Sequence, residues 1–196
     1  MYRIRGMPPS HYFIFHVTHI LSTMIKEKIS SEKIENGANM TKPFNLEPQA
    51  GEKIWITGDT VIIRATAAET GGAYTMIEAI ASLGNGPPPH LHKNEDETLY
   101  VLDGDFEILN GEHLMSVKPG ALAFVPRGTV HRFRCIGDRT GRMLLIYTPG
   151  GIEGFFHESG RPAVGDGPAP PLDSEEIART EKAGRRYGLQ VVEWAH

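Results

Sequence analysis

From Met40 onward, turn-forming residues recur about every 8–12 positions, and that cadence constrains the fold more than any other feature of the chain. Gly58-Asp59, Gly71-Gly72, Gly84 to Pro89, Asp103-Gly104, Asn110-Gly111, Pro119-Gly120, Pro126 to Gly128 and Gly137-Asp138 punctuate this region. Between them lie short runs rich in Val, Ile, Thr, Phe and Tyr: TVIIRAT, YTMIEAI, TLYVL, FEIL, LAFV, VHRFRC and MLLIYT. Such runs suit strands, and many in succession form a sandwich or barrel, not a parallel α/β sheet. Asn110-Gly111 predicts a hairpin whose two turn residues both take positive φ. The expected fold class is all-β.

A length of 196 residues suits one domain, and the formal net charge of −4 gives no reason to expect a nucleic-acid partner. The basic residues are scattered, not clustered. No apolar run approaches the roughly 20 residues of a membrane span. A single cysteine, Cys135, rules out an internal disulfide framework and fits a reducing compartment. The expectation is a cytoplasmic protein with no membrane contact.

Both ends depart from the strand cadence. Residues 1–39 read as an N-terminal extension, helical or poorly ordered, that the fold does not need. Met40 opens the domain proper, residues 40–196. After Pro149, GGIEGFFHESG offers a helical turn with two aromatics, and a Pro/Gly-rich connector follows. DSEEIARTEKAGRRYG reads as a helix with Asp173 as N-cap, Glu176 completing a capping box and Gly188 ending it. LQVVEW is a final strand.

The stretch GPPPHLHKNEDETLYVLDG carries the chemistry. On a strand, His90 and His92 share one face and lie about 6.6 Å apart, a spacing from which two imidazoles can converge on one cation. Glu97 opens the next strand, and its spacing favours it over Glu95 and Asp96, which are assigned to the solvated turn. His131 stands on a later strand after a Pro-x-Gly turn. Three imidazoles and one carboxylate suit a divalent transition metal, with positions left open for substrate or water.

These residues resemble the two motifs of the cupins. The first, G-x5-H-x-H-x4-E-x6-G, is matched by Gly84, His90, His92, Glu97 and Gly104. The second, G-x5-P-x-G-x2-H-x3-N, is matched by Gly120, Pro126, Gly128 and His131, with Cys135 where the family usually has Asn. The resemblance implies a single cupin barrel, or double-stranded β-helix jelly roll, with a C-terminal helix. It nominates His90, His92, Glu97 and His131 as ligands of one metal, whether Fe, Mn, Ni, Co, Cu or Zn. Among cupins the chain is similar to small quercetin 2,3-dioxygenase-like proteins. That implies a small enolisable, flavonol-like substrate, O2 as co-substrate, and Glu97 as both ligand and base with a pKa raised by apolar surroundings. A non-catalytic metal- or ligand-binding cupin and a cupin isomerase are the alternatives. By the same resemblance a homodimer is expected.

Strand parity suggests walls for a substrate pocket. Tyr74 and Met76 share a face, Phe133 and Cys135 lie on the His131 face, and Tyr147 and Phe155 are aromatic candidates for the barrel mouth.

Overall fold

The structure, a computed structural model, describes residues 41–165 and 167–193. The expected extension, residues 1–39, lies outside the described residues. Strands β1 (Glu52–Ile56), β2 (Asp59–Ala65), β3 (Thr75–Ala81), β4 (His90–His92), β5 (Asp96–Asp103) and β6 (Phe106–Asn110) come first. They are followed by β7 (His113–Val117), β8 (Leu122–Val125), β9 (His131–Cys135), β10 (Gly141–Thr148), β11 (Arg161–Pro162) and β12 (Leu189–Val191). Helices α1 (Ala67–Thr70), α2 (Glu153–Ser159) and α3 (Ser174–Tyr187) complete the described residues.

The strands form two antiparallel sheets, in the orders β11-β1-β2-β3-β10-β5-β8 and β12-β4-β9-β6-β7. Between them sits a core in which Phe106, Ile77, Leu99, Ile108, Met143 and Ile152 are sealed from solvent. Each such side chain contributes roughly 1.5–3 kcal/mol relative to exposure. The all-β expectation holds, and each quoted run falls on a strand. The β6–β7 hairpin differs in detail. Asn110 is paired with His113, so the turn residues are Gly111 and Glu112, and of these Gly111 takes positive φ.

Two devices fix the C-terminal helix and the strand after it to the barrel. Asp173 accepts the Glu176 N–H at 2.8 Å and caps α3, as predicted. The second half of the capping box is absent, because the Glu176 carboxylate reaches instead to the Thr57 N–H and to Arg161. The helix is thereby tied to the β1–β2 turn. Gly188 ends α3 in the left-handed conformation, and β12 then pairs with β4, setting Leu189 opposite His92 and Val191 opposite His90. The tail strand is a wall of the His-x-His strand.

Gly86 is where this arrangement tolerates no side chain. At φ +152 it lets the segment before β4 lie against β9, and a Cβ there would stand 2.1 Å from the Phe133 carbonyl oxygen. Neighbouring backbone bonds, Gly84 N–H to Cys135 O and Cys135 N–H to Asn85 O, hold the same seam. Gly86→Ala is therefore expected to lower the free energy of unfolding by about 2–4 kcal/mol, from backbone strain together with the clash. Urea titration measures this; a loss under about 0.5 kcal/mol would contradict it.

Candidate metal centre

Four buried side chains meet inside the barrel. His90 and His92 come from β4, Glu97 from β5 and His131 from β9, so both sheets contribute. Direct pairing of His90 with His131 brings two of them face to face. The outer clamp is Asp96, whose carboxylate accepts the Arg127 N–H and bonds its guanidinium twice, at 2.9, 3.0 and 3.0 Å. Arg127 holds the Asp96 carboxyl at about 2. This pair pins the Pro126–Gly128 turn to the start of β5, and so aligns His131 with Glu97.

One ligand atom from each of the four lies within 4.8 Å of the others. A cation bound at about 2.0–2.2 Å holds opposed ligands no more than about 4.4 Å apart, so small side-chain shifts complete the shell. The tautomers are already suited to it. His90 Nδ1 is 2.9 Å from the Pro88 carbonyl and His131 Nδ1 is 3.0 Å from that of Thr129. A proton on each Nδ1 is donated to that carbonyl, which turns Nε2 inward as the ligand atom. His92 supplies the sharpest sign of fit: both its ring nitrogens are buried, and neither has a hydrogen-bond partner. Its Nε2 stands 3.4 Å from Glu97 Oε2, and a cation between them would satisfy both.

Electrostatics follow from that crowding. Burial, then the adjacent His131 and His92, push His90 down to about 3, so its imidazole is neutral at physiological pH. His131 is raised: burial opposes the charge, but its 2.7 Å hydrogen bond to Glu97 outweighs that cost. For Glu97 the sequence expectation is overturned. Burial does raise its carboxyl, as foreseen, but the contacts with His131 and His92 prevail and hold it well below the usual carboxylate range. Tyr147, opposite Glu97 on β10, is pushed well above its ordinary value by burial and by that carboxylate.

An apolar cavity opens from the cluster. Its walls include Phe133, Tyr147, Phe155, Phe156, Leu145, Leu189 and Val191, with Pro87 and Pro88 at the rim of β4. Phe133, expected on the His131 face, and Tyr147 and Phe155, the aromatic candidates for the barrel mouth, line this cavity. Tyr74, Met76 and Cys135 are not. Thr75, Ile77, Ala79 and Ala81 form the inner set of β3, so Tyr74 and Met76 face outward, toward Phe44, Leu46 and Arg64. Cys135 does point inward but lies below the cavity, fully buried beside Gly141, with its thiol 3.3 Å from the Arg139 carbonyl. Glu95 is a further correction: it is buried, not solvated, and its Oε2 lies 3.9 Å from His92 Nδ1. Thr57, Asp59, Thr180, Leu189 and Val191 line the cavity without having been foreseen. Only the tail strand had a sequence signal, the LQV alternation.

Histidines on a strand facing a carboxylate inside an antiparallel jelly roll define a cupin centre, and comparison with known proteins agrees. The cupin domain family matches residues 77–147. Quercetin 2,3-dioxygenase of Bacillus subtilis is 28% identical over 137 residues, which are 69% of this chain and 40% of that protein. The chain thus spans less than half of that relative. Polyketide synthase CurC of Streptomyces cyaneus is 30% identical over 129 residues, 64% of this chain and 82% of that one. A solved RmlC-like cupin from Shewanella frigidimarina superposes with a TM-score of 0.48 at 16% identity, covering 58% of this chain and 96% of its own. The chain belongs to the cupin superfamily. No helix among the described residues is long and apolar enough to cross a membrane.

One carboxyl in the cavity titrates near neutrality. Burial pushes Asp59 from its ordinary 3.8 up to about 6, against hydrogen bonds from Ser82 and Asn85 that lower it. A raised acid favours the protonated folded state: its stabilisation is complete below pH 3.8 and is lost as pH rises through 6. Asp59→Asn removes that loss. Its stability relative to wild type should rise between pH 5 and pH 8 by about 1.4 kcal/mol, the part of the shift that lies above pH 5. Chemical denaturation at the two pH values measures it, and an unchanged difference would contradict it.

Proposed function

We propose that this cupin is a metal-dependent dioxygenase acting on an enolisable, flavonol-like small molecule. One observation carries the reading: of four convergent donor groups, His90, His92 and Glu97 line a cavity whose remaining walls are mostly aromatic and aliphatic. Such a cavity favours a flat, apolar substrate that presents an oxygen to the metal. Among the described residues lining it there is no lysine or arginine, which disfavours phosphorylated or polycarboxylate substrates. The similarity to quercetin 2,3-dioxygenase points the same way.

His90, His92, Glu97 and His131 would hold the metal, which when bound supplies a Lewis acid for the enolate and a redox relay to O2. The chain's own residues do the rest. Glu97 is buried at the ligand cluster and lines the cavity, which places its carboxylate where the substrate's hydroxyl proton would be taken. Tyr147 and Phe156, with ring centroids 6.3 Å apart, back the position in which the substrate ring lies. Leu189 and Val191 of the tail strand exclude water from that side.

Metal-replete protein should consume O2 with quercetin, and Glu97→Gln should cut the rate by about 100-fold or more. An oxygen electrode reads both. Flavonol binding without O2 uptake would instead support the non-catalytic ligand-binding cupin. Rearrangement of a substrate without O2 uptake would support the isomerase.

A further inference from the structure

The end of the cavity remote from the metal ligands is not apolar. Asp59, 5% exposed, lines it together with Thr57 and Thr180. The Asp59 Oδ1 atom is occupied, accepting Ser82 N–H at 2.9 Å and Asn85 Nδ2–H at 2.8 Å. Oδ2 makes no hydrogen bond among the described residues. The Thr180 hydroxyl is buried and likewise has no partner. Tying the Gly84–Pro89 segment to β2 accounts for Oδ1 alone. An asparagine would do that as well without burying a charge, so a carboxylate here calls for another explanation.

Position and charge define what would fit. Asn85, which donates to Asp59, is bonded to Cys135, whereas His90 is paired with His131, so Asp59 stands in a different part of the cavity from the ligand cluster. A flavonol that presents its 3-oxygen to the metal carries a donor on a separate ring in its 4′-hydroxyl. An acceptor without a nearby cation selects a neutral donor and rejects an anionic end.

We propose that Asp59, with Thr57 and Thr180, forms a distal subsite that selects substrates carrying a hydroxyl donor remote from the oxygen held at the His90–His92–Glu97–His131 cluster. The inference rests on the flavonol reading and deepens it: Asp59 is a specificity-determining residue, not a metal ligand.

Anaerobic titration of the full-length, nickel-loaded protein with 3-hydroxyflavone and with 3,4′-dihydroxyflavone tests this, with Kd read from the flavonol absorption shift. Wild type is expected to bind the dihydroxy compound at least tenfold more tightly. Asp59→Leu should bring the two Kd values within twofold while leaving that of 3-hydroxyflavone within threefold of wild type. Asp59→Asn keeps the contacts to Ser82 and Asn85, guards against misfolding, and should lower the preference at least threefold. Equal binding of the two compounds by wild type, or a preference that survives both substitutions, overturns the proposal and leaves the flavonol reading standing. Failure of both compounds to bind contradicts the flavonol reading and overturns the proposal with it.

Discussion

Burying three imidazoles and a carboxylate at one point is the constraint on which the rest of the structure depends. Such groups are costly in an apolar interior unless each finds a partner. The barrel supplies partners of two kinds. Carbonyls of Pro88 and Thr129 take the outward ring nitrogens of His90 and His131, and Glu97 faces the inward ones. His92 alone is left without hydrogen bonds, and a cation is the partner its position lacks. Satisfying this cluster requires three strands from two sheets in strict register, which the Asp96–Arg127 clamp and the close seam at Gly86 maintain.

The same register explains why the site opens where it does. Large side chains such as Phe106, Ile108 and Met143 fill the barrel around Cys135. Toward β1, β2 and the C-terminal tail, Ala79 and Val61 are small and the wall is completed by α2 and β12. The helix and tail strand therefore shape the cavity while contributing no ligand.

The sequence made the centre legible because its signals are local. The His-x-His alternation, the four-residue gap to Glu97 and the Pro-x-Gly turn before His131 each depend on neighbours in the chain. The cavity was less legible because its walls are assembled from distant segments. Parity groups Tyr74 with Met76 but cannot say which face is inward, and the small inner residues Ala79 and Ala81 decide it. Asp59 reads as half of an ordinary Gly-Asp turn until β2 is seen beside Asn85. Glu97 was misjudged for a related reason: burial is predictable from an apolar pattern, but two imidazoles that outweigh it are not. Glu95 and Asp96, alike in the sequence, divide: one is buried against His92 and the other is clamped by Arg127, partners that come from the folded arrangement and not from the run of polar residues itself.

The central claim is that these four side chains hold one transition metal. Anomalous scattering from crystals of metal-replete protein tests it most directly. The account predicts a single strong peak within about 2.0–2.3 Å of His90 Nε2, His92 Nε2, His131 Nε2 and a Glu97 carboxylate oxygen. A peak elsewhere, or none at this cluster after reconstitution with metal, would contradict it.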